Sequence, residues 1–386
     1  MLDVDRLWHL PWSGADVPHA VLDVLRGCNI SCRGCINVSA PEKRDLAAVE
    51  RDLDALLERR RLASLTILGG EPRLHPELPD IIRLVRSRGL AVELLTNGLK
   101  LDDAWLQSLA EAGLEILYLH IDGGQRRPDL PADPTAEQLR ALWTTSVARI
   151  AAHGLDVGLG ITLYRDRIED VLTAVRFVLE SPHVHYLLVT LYRHLDDIER
   201  IEGDIVHGMR ARVRSTAGGE RVDTLTNHEM AELLETQLGL TPFGVVGSNL
   251  DARDPRWLSY HVAVAQQPDA TISYHSLQSS GFERLYLALQ RALVGRYPMF
   301  QRQSRKALIG QLLLNALSGG DTAGNLRFVR QQRSRPLLTK RLLFQCPAQV
   351  AADGRVIHCV CCPDACHKQG RLVPICIADY VDNPQP

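Results

Sequence analysis

The sequence predicts an α/β protein: a partial (β/α)6 barrel of the TIM type with a C-terminal helical and Cys-rich extension. In the first half of the chain, six short apolar runs alternate with amphipathic stretches. Nearly continuous apolar runs are typical of parallel strands that are buried on both faces, and helices join such strands by right-handed crossovers. The nine cysteines lie only near the two ends of the chain, which indicates a specialised role for them.

The predicted strands are residues 20–25, 65–68, 91–95, 116–121, 157–163 and 186–191. The predicted helices between them are residues 46–59, 78–88, 104–112, 136–152 and 168–180. In these helices apolar residues recur at three- and four-residue spacing, which places them on one face. Function in such a fold gathers at the carboxyl ends of the strands.

Beyond residue 195 the alternation stops and the pattern predicts mainly helices. They are residues 194–214, 230–238, 283–293 and 306–317, with one strand at 271–277 and a flexible linker at 319–324. Thr226 and Glu229 form a capping box ahead of the second of these helices, and Gly239 ends it. The predicted domains are a barrel at 1–195, a helical extension at 196–335 and a Cys-rich domain at 336–386.

Composition excludes several classes of protein. The 386 residues are 45% hydrophobic and 23% charged, values typical of globular domains rather than disordered or fibrous chains. A net charge of -2 argues against a protein that coats nucleic acid. The sequence shows neither a secretory signal nor an apolar run of the ~20 residues that span a membrane. We therefore expect a cytoplasmic protein whose reduced thiols bind metal.

Cys28, Cys32 and Cys35 form a CxxxCxxC motif directly after the first predicted strand. Three thiolates can bind three irons of a [4Fe–4S] cluster and leave the fourth iron open to a cofactor or substrate. A zinc knuckle is the alternative, although zinc prefers four protein ligands.

Further motifs follow the next predicted strands. Gly69, Gly70, Glu71 and Pro72 follow the second strand, Thr96-Asn97-Gly98 the third, and Asp122 ends the fourth. With the cysteine triplet, the run ILGGEPRLHPELPDIIRLVRSRGLAVELLTNG resembles the radical SAM superfamily, over about residues 20–195. Gly34 departs from that pattern, because family members usually carry an aromatic residue there. We expect Ile36 or a strand residue to pack against the adenine instead.

The resemblance implies two cofactors, a [4Fe–4S] cluster on Cys28, Cys32 and Cys35, and S-adenosylmethionine. It implies cofactor-binding roles for Gly69, Gly70, Glu71, Pro72, Asn97 and Asp122. Arg165 and Arg193, after the fifth and sixth strands, are further candidates to pair with the cofactor carboxylate. In this family, reductive cleavage of S-adenosylmethionine gives a 5′-deoxyadenosyl radical that abstracts hydrogen from a substrate C–H bond. The electron donor would be a flavodoxin or ferredoxin, and the sequence assigns no catalytic residue.

The C-terminal cysteines are predicted metal ligands: Cys346, Cys359, Cys361, Cys362, Cys366 and Cys376. The segment resembles SPASM and twitch auxiliary-cluster domains and, over a shorter run, the Cys-rich region of tetraether lipid synthases. We expect one auxiliary [4Fe–4S] cluster on Cys346, Cys359 and Cys376, with Cys361, Cys362 or Cys366 as the fourth ligand. A structural zinc site is the alternative.

The sequence leaves the substrate open among a peptide, a lipid and another small molecule. The corresponding enzymes are a peptide-modifying SPASM-type maturase and a C–C coupling or methylating enzyme for lipids or metabolites. An iron–sulfur electron carrier or a zinc scaffold is the non-enzymatic alternative. It needs no cofactor pocket, so the motifs at Gly69 and Asn97 argue against it.

Overall fold

A computed structural model describes residues 2–37, 40–193, 205–206, 209–211, 224–267, 271–299, 303–350 and 355–382. The strands are β1 (Trp8–His9), β2 (His19–Asp23), β3 (Ser31–Cys32), β4 (Ser64–Leu68), β5 (Ala91–Thr96), β6 (Ile116–His120), β7 (Gln125–Arg126), β8 (Asp156–Leu163), β9 (Val184–Leu191), β10 (Ile205–Val206), β11 (Met209–Ala211), β12 (Gly244–Gly247), β13 (Pro255–Gln266), β14 (Ile272–Leu277), β15 (Leu337–Gln345), β16 (Gln349–Val350), β17 (Val356–Ile357), β18 (Ala365–Lys368), β19 (Arg371–Pro374) and β20 (Val381–Asp382).

The helices are α1 (Leu46–Arg59), α2 (Leu78–Ser87), α3 (Asp103–Ala112), α4 (Ala136–Ala151), α5 (Asp170–Glu180), α6 (Asn227–Leu238), α7 (Gly281–Val294), α8 (Arg305–Leu317) and α9 (Thr322–Gln332). Side-chain caps fix where many of them begin. Thr226 and Glu229 form the predicted capping box of α6, and Gly239 ends that helix in the left-handed region at φ 62°. Among the described residues, no helix is long and apolar enough to cross a membrane.

Six parallel strands form the centre of the molecule. Strands β2, β4, β5, β6, β8 and β9 are neighbours in that order, each parallel to the next. Helices α1 to α5 lie in the connections between them, and their apolar faces join the outward residues of the strands in one core. The predicted partial (β/α)6 barrel is confirmed.

The sheet continues beyond the six strands that the apolar pattern predicts. Strand β15 pairs parallel to β9, and β13 pairs antiparallel to β15. Strands β12 and β14 then flank β13. The range 196–335 therefore contains β12, β13 and β14 as well as α6 to α9, so the prediction of a mainly helical extension was incomplete. The domain boundaries themselves stay predictions.

Two local predictions differ from the structure. The linker predicted at 319–324 was wrong, because α9 begins at Thr322 and the Asp321 carboxylate caps it by accepting from Gly324 N. The helix predicted at 194–214 falls mostly outside the described residues. The parts of it that are described, β10 and β11, form strands.

The Cys-rich segment consists of two short hairpins. Strands β16 and β17 pair antiparallel, as do β18 and β19. Gln369 and Gly370 turn the second hairpin with φ values of 49° and 79°, as a two-residue primed turn requires. Strand β18 packs against β2 and α1, so the segment covers the open edge of the barrel.

The inner face of the barrel is less tightly packed than the outer face. Side chains alternate between the two faces of a strand. The inward residues Leu95, Thr162, Leu188 and Thr190 are half-buried, although each lies in a central strand. The barrel interior is therefore open toward the carboxyl ends of its strands.

Candidate active site

The cysteine triplet lies in the loop after β2, at the open end of the barrel. The loop is clamped there, because β3 pairs with β7 and Arg33 N donates to Gly124 O at 2.9 Å. Burial raises the pKa of the Cys32 thiol, and the nearby Asp122, Cys35 and Cys28 raise it further. Cys28 is half-buried and Cys35 is exposed, so these two thiols remain accessible to solvent.

Gly69 and Gly70 pack against the chain that leads into Cys28. Gly70 N donates to Leu25 O at 2.7 Å, and Glu71 N donates to Gly27 O at 2.8 Å. A Cβ at Gly69 would lie 2.3 Å from Leu25 O, and one at Gly70 would lie 2.0 Å from Gly27 O. Residues with side chains cannot make this approach, so the two glycines set the position of the cysteine loop.

Glu71 joins this loop to the end of β5. Its carboxylate accepts from Thr96 Oγ1 at 2.6 Å, Asn97 N at 2.8 Å and Arg73 N at 3.0 Å. Burial raises the pKa of Glu71, against these hydrogen bonds. Pro72 begins the short 3-10 turn that follows. Glu71 is therefore placed to position the loop and the Asn97 turn.

Asn97 and Asp122 both reach the cysteine loop. Asn97 Nδ2 donates to Asn29 Oδ1 at 2.7 Å and lies 3.9 Å from Cys28 Sγ. The Asp122 carboxylate accepts from Gly124 N at 2.8 Å and from Thr162 N at 2.9 Å. The structure thus brings the predicted N-terminal site residues together at one end of the sheet.

An aromatic pair occupies the space beside Gly34. A Cβ at Gly34 would lie 2.9 Å from Tyr164 Oη and 2.9 Å from Tyr192 Cδ2, and the two rings have centroids 5.0 Å apart. Arg33 lies over the Tyr164 ring at 4.7 Å. Sequence reasoning missed both tyrosines. Their signal was an aromatic residue directly after the fifth and after the sixth predicted strand.

A small cavity opens between the cysteine loop and the barrel. It is lined by Cys32, Arg33, Gly34, Cys35, Ile36, Thr162, Thr190, Leu191, Tyr192, Arg193 and Pro347. We call Thr162, Thr190 and Gln345 the mouth of the barrel interior. Thr162 on β8 pairs with Thr190 on β9, and Thr190 pairs with Gln345 on β15. The side chain of Gln345 also donates from Nε2 to Thr190 Oγ1 at 2.7 Å. The cysteine triplet therefore faces the entrance of the barrel.

Arg165 and Arg193 both hold other parts of the chain. Arg165 donates to Thr224 O at 2.8 Å and to Glu229 Oε1 at 2.7 Å at the start of α6. Arg193 donates to the carbonyl oxygens of Ala348 and Cys376. The second arginine therefore fastens the Cys-rich segment to the end of β9, beside the cavity.

Glu93 lies deeper, on the inner face of β5. Its Oε2 accepts from Thr66 Oγ1 at 3.2 Å, and its Oε1 is buried without a hydrogen-bond partner among the described residues. Burial raises the pKa of Glu93 to about 8, from an ordinary value of 4.5. The folded protein therefore keeps this proton over a pH range in which the unfolded chain releases it.

This pKa predicts a pH dependence of stability. Between pH 4.5 and about 8 the unfolded state binds fewer protons than the folded state, so stability falls as pH rises through that range. As the pH rises through this range, the free energy of unfolding of the wild type should fall relative to that of Glu93→Gln. The measurement is urea unfolding of both proteins at pH 5, 6, 7 and 8. Glu232→Gln, on the exposed face of α6, is the control and should track the wild type. Parallel curves for wild type and Glu93→Gln would contradict the prediction.

The C-terminal cysteines fall into separate environments. Cys359 and Cys362 pack in one small cluster, and the neighbouring Cys359 thiol together with burial raises the pKa of Cys362. Burial raises the pKa of Cys376, and nearby Cys362 raises it further. These three thiols therefore share one region, and two of them are among the three ligands expected from the sequence.

Cys346 lies elsewhere, and Cys366 lies among charged side chains, although Arg60 has both Cys362 and Cys366 as charged neighbours. Cys346 continues the outward face of β15 into the main core, beside Arg256 and Asn227. Burial raises the pKa of Cys366 to about 12, and its charged neighbours are Asp23, Lys368, Arg26 and Asp52 rather than other thiols. The packing gives no support to Cys346 as a ligand beside Cys359 and Cys376.

Comparison with known protein families identifies the first half of the chain. Residues 22–178 match the family model of the radical SAM superfamily. These residues form a radical SAM domain. The match includes the cysteine triplet, the glycine loop, Asn97 and Asp122, so the family resemblance drawn from these motifs is confirmed.

Curated relatives of the radical SAM domain have diverse names. A 7,8-dihydro-6-hydroxymethylpterin dimethyltransferase of Methanocaldococcus jannaschii is 34% identical over 120 residues, 29% of this chain and 24% of the relative. A GTP 3',8-cyclase of Chlorobaculum tepidum is 35% identical over 182 residues, 46% of each chain. A PqqA peptide cyclase of Xanthomonas axonopodis is 27% identical over 175 residues, 42% of this chain and 44% of the relative. The chain thus spans a quarter to about half the length of these curated relatives.

The residues of the radical SAM domain fit a [4Fe–4S] cluster. Cys28, Cys32 and Cys35 are thiols of one loop, none of them in a disulfide, and close enough for two of them to raise the pKa of the third. A raised pKa means that it is costly to form the thiolate, and iron removes this cost by replacing the thiol protons. Within the described part of the chain, no three His, Cys, Asp or Glu side chains surround a point where one metal ion would bind.

Proposed function

We propose that the protein is a radical SAM enzyme that removes a hydrogen atom from a substrate bound inside the barrel. The single observation that carries this proposal is that the cysteine triplet faces the mouth of an open barrel interior. The cluster and S-adenosylmethionine, when bound, supply a 5′-deoxyadenosyl radical by reductive cleavage. A reduced flavodoxin or ferredoxin would supply the electron.

In this proposal the chain's own residues place the cofactor and the substrate. Cys28, Cys32 and Cys35 hold the cluster, and the Gly69–Gly70 loop fixes the position of Cys28. Glu71 holds that loop against the Asn97 turn. Tyr164 and Tyr192 occupy the space beside Gly34, and the half-buried Tyr192 would supply aromatic surface for the adenine.

The test is anaerobic reconstitution with iron and sulfide, followed by an assay for dithionite-driven formation of 5′-deoxyadenosine from S-adenosylmethionine. We expect turnover above that of a protein-free control. Absence of product from the wild type, under conditions where another radical SAM enzyme is active, would refute the proposal.

We further propose an auxiliary [4Fe–4S] cluster in the Cys-rich segment, held by Cys359, Cys362 and Cys376 with a fourth thiol from Cys361 or Cys366. The contacts among the first three support this choice. Arg60 would stabilise the site, because its guanidinium donates to Cys362 O at 2.7 Å and to Pro363 O at 3.4 Å.

Iron analysis distinguishes this ligand set from the one expected from sequence. Cys362→Ala is expected to remove about four irons per chain, because a [4Fe–4S] cluster carries four irons. Cys346→Ala is the matched control, since both thiols are buried, and it should keep the wild-type iron content. Loss of iron in Cys346→Ala, with retention in Cys362→Ala, would reverse the assignment.

A further inference from the structure

On the basis of the function proposed above, we propose that the substrate carries an anionic group, a carboxylate or a phosphate, which binds the guanidinium of Arg341 deep inside the barrel. The reacting carbon of that substrate lies at the mouth, beside the cysteine triplet. The proposal concerns a layer of the inner face that we call the floor row, made of Tyr118, Gly158, Tyr186 and Arg341.

The floor row follows from the strand register. Tyr118 on β6 pairs with Gly158 on β8, Gly158 pairs with Tyr186 on β9, and Tyr186 pairs with Arg341 on β15. Directly opposed residues project from the same face of a sheet. A Cβ at Gly158 would lie 2.3 Å from the Tyr118 ring, so the missing side chain makes room for that ring. The row is thus a packed layer that places two phenol rings beside one guanidinium.

Arg341 has no counter-charge in this layer. Among the described residues its side chain forms no hydrogen bond or ion pair. The ionisable groups nearest to its guanidinium are the phenols of Tyr186, Tyr118 and Tyr286. Burial lowers its pKa. The neighbouring Lys340 differs, because its Nζ donates to the carbonyl oxygens of Ser181 and Val184. Arg341 is half-buried, so its guanidinium remains accessible from the open interior, and a bound anion would supply the charged partner that the described residues do not.

The carboxyl groups near the floor row do not replace that anion. Glu93 lies one layer away with a pKa that burial raises to about 8, and Asp364, which approaches from the Cys-rich segment, has the guanidinium of Arg60 as its charged neighbour. The floor row therefore offers a cation that has no counter-charge among the described residues.

The space between the floor row and the mouth sets the shape of the substrate. Tyr186 and Thr190 lie on the same face of β9, four residues apart, which corresponds to about 13 Å at the rise of a strand. The half-buried Leu188 and Leu343 pair with each other between these two layers. The substrate is therefore an elongated molecule with an apolar or neutral middle, whose anionic end lies about 13 Å from the reacting carbon.

Binding of simple probes to the reconstituted holoenzyme tests this inference without turnover. Isothermal titration calorimetry would compare octanoate, octyl phosphate, octanol and octylamine, which share one eight-carbon chain. We expect at least one of the two anions to bind about tenfold or more tightly than octanol, the size of one charge-assisted hydrogen bond. The tighter anion identifies the headgroup. Binding of neither anion more tightly than octanol, or a preference for octylamine, would overturn the proposal.

Variants at Arg341 complete the test. Arg341→Met should abolish the preference for the anion and keep or raise the melting temperature, because it removes an uncompensated charge. Arg341→Lys should keep part of the preference. Arg176→Met, on the exposed face of α5, is the matched control and should bind as the wild type does. An unchanged preference in Arg341→Met, or a large loss of stability in both Arg341 variants, would refute the assignment. Neither result depends on formation of 5′-deoxyadenosine, so this test fails separately from the proposed function.

Discussion

Replacing Cys28, Cys32 and Cys35 together by alanine is expected to abolish formation of 5′-deoxyadenosine and to halve the iron content. The wild type should contain about eight irons per chain and the triple variant about four, because each [4Fe–4S] cluster carries four. The physical reason is that this loop supplies the three thiolates that would hold the cluster beside the mouth of the barrel. The measurements are product formation by chromatography and iron by colorimetric assay, both after anaerobic reconstitution.

The triple variant should remain folded, because Cys28 and Cys32 are only half-buried and Cys35 is exposed. Its circular dichroism spectrum and unfolding midpoint are therefore expected to stay close to those of the wild type. Retained product formation would contradict the role of the triplet. A wild-type iron content of about four would remove the auxiliary cluster and leave the first one in place.

Substitution of Gly70 by alanine is expected to have the largest effect of any single methyl group in the site. The added Cβ would lie 2.0 Å from Gly27 O, 2.5 Å from Gly27 C and 2.7 Å from Arg26 O, all of them backbone atoms next to Cys28. Backbone cannot rotate away as a side chain can, so the cysteine loop has to move. A displacement of about 1 Å at a reacting centre costs roughly 100-fold in rate. We expect that loss in formation of 5′-deoxyadenosine, with a stability loss of about 1–3 kcal/mol from overpacking.

Gly310→Ala is the matched control for this prediction. Gly310 lies inside α8, and a Cβ added there would meet no described atom within 4 Å. An alanine at this position should raise helix stability by about 0.5–1 kcal/mol and leave product formation unchanged. A Gly70→Ala variant as active as the wild type would show that the close approach of the two loops is dispensable.

The six parallel strands could be predicted because their sequences are apolar on both faces. Strands β13 and β15 were not predicted, because polar residues interrupt their apolar runs. These residues are Ser259 and His261 in β13, and Lys340 and Arg341 in β15. Lys340 is fully buried, and the two carbonyl oxygens that accept from it come from residues 181 and 184. From the sequence alone, a buried lysine whose partners are distant carbonyl oxygens cannot be distinguished from a surface lysine.

The candidate site shows a similar division. The cysteine triplet, the glycine loop, Asn97 and Asp122 could be predicted because each lies at a strand end and the strands are parallel. Which C-terminal thiols meet could not be predicted from spacing. Cys346 is directed to the outer core by the alternation of β15, whereas Cys359 and Cys362 are brought together by the pairing of the Cys-rich segment with the end of β12. Both effects depend on strand register rather than on distance along the chain.

The guanidinium of Arg193 joins the barrel to the Cys-rich segment at the other end of the chain. Arg193 follows Tyr192 on the wall of the cavity, and its guanidinium donates hydrogen bonds to the carbonyl oxygens of Ala348 and Cys376 in the last segment. The auxiliary cluster proposed above would therefore also help to order the wall of the cavity, because Arg193 joins that wall to the Cys-rich segment, and any such coupling acts equally in both directions.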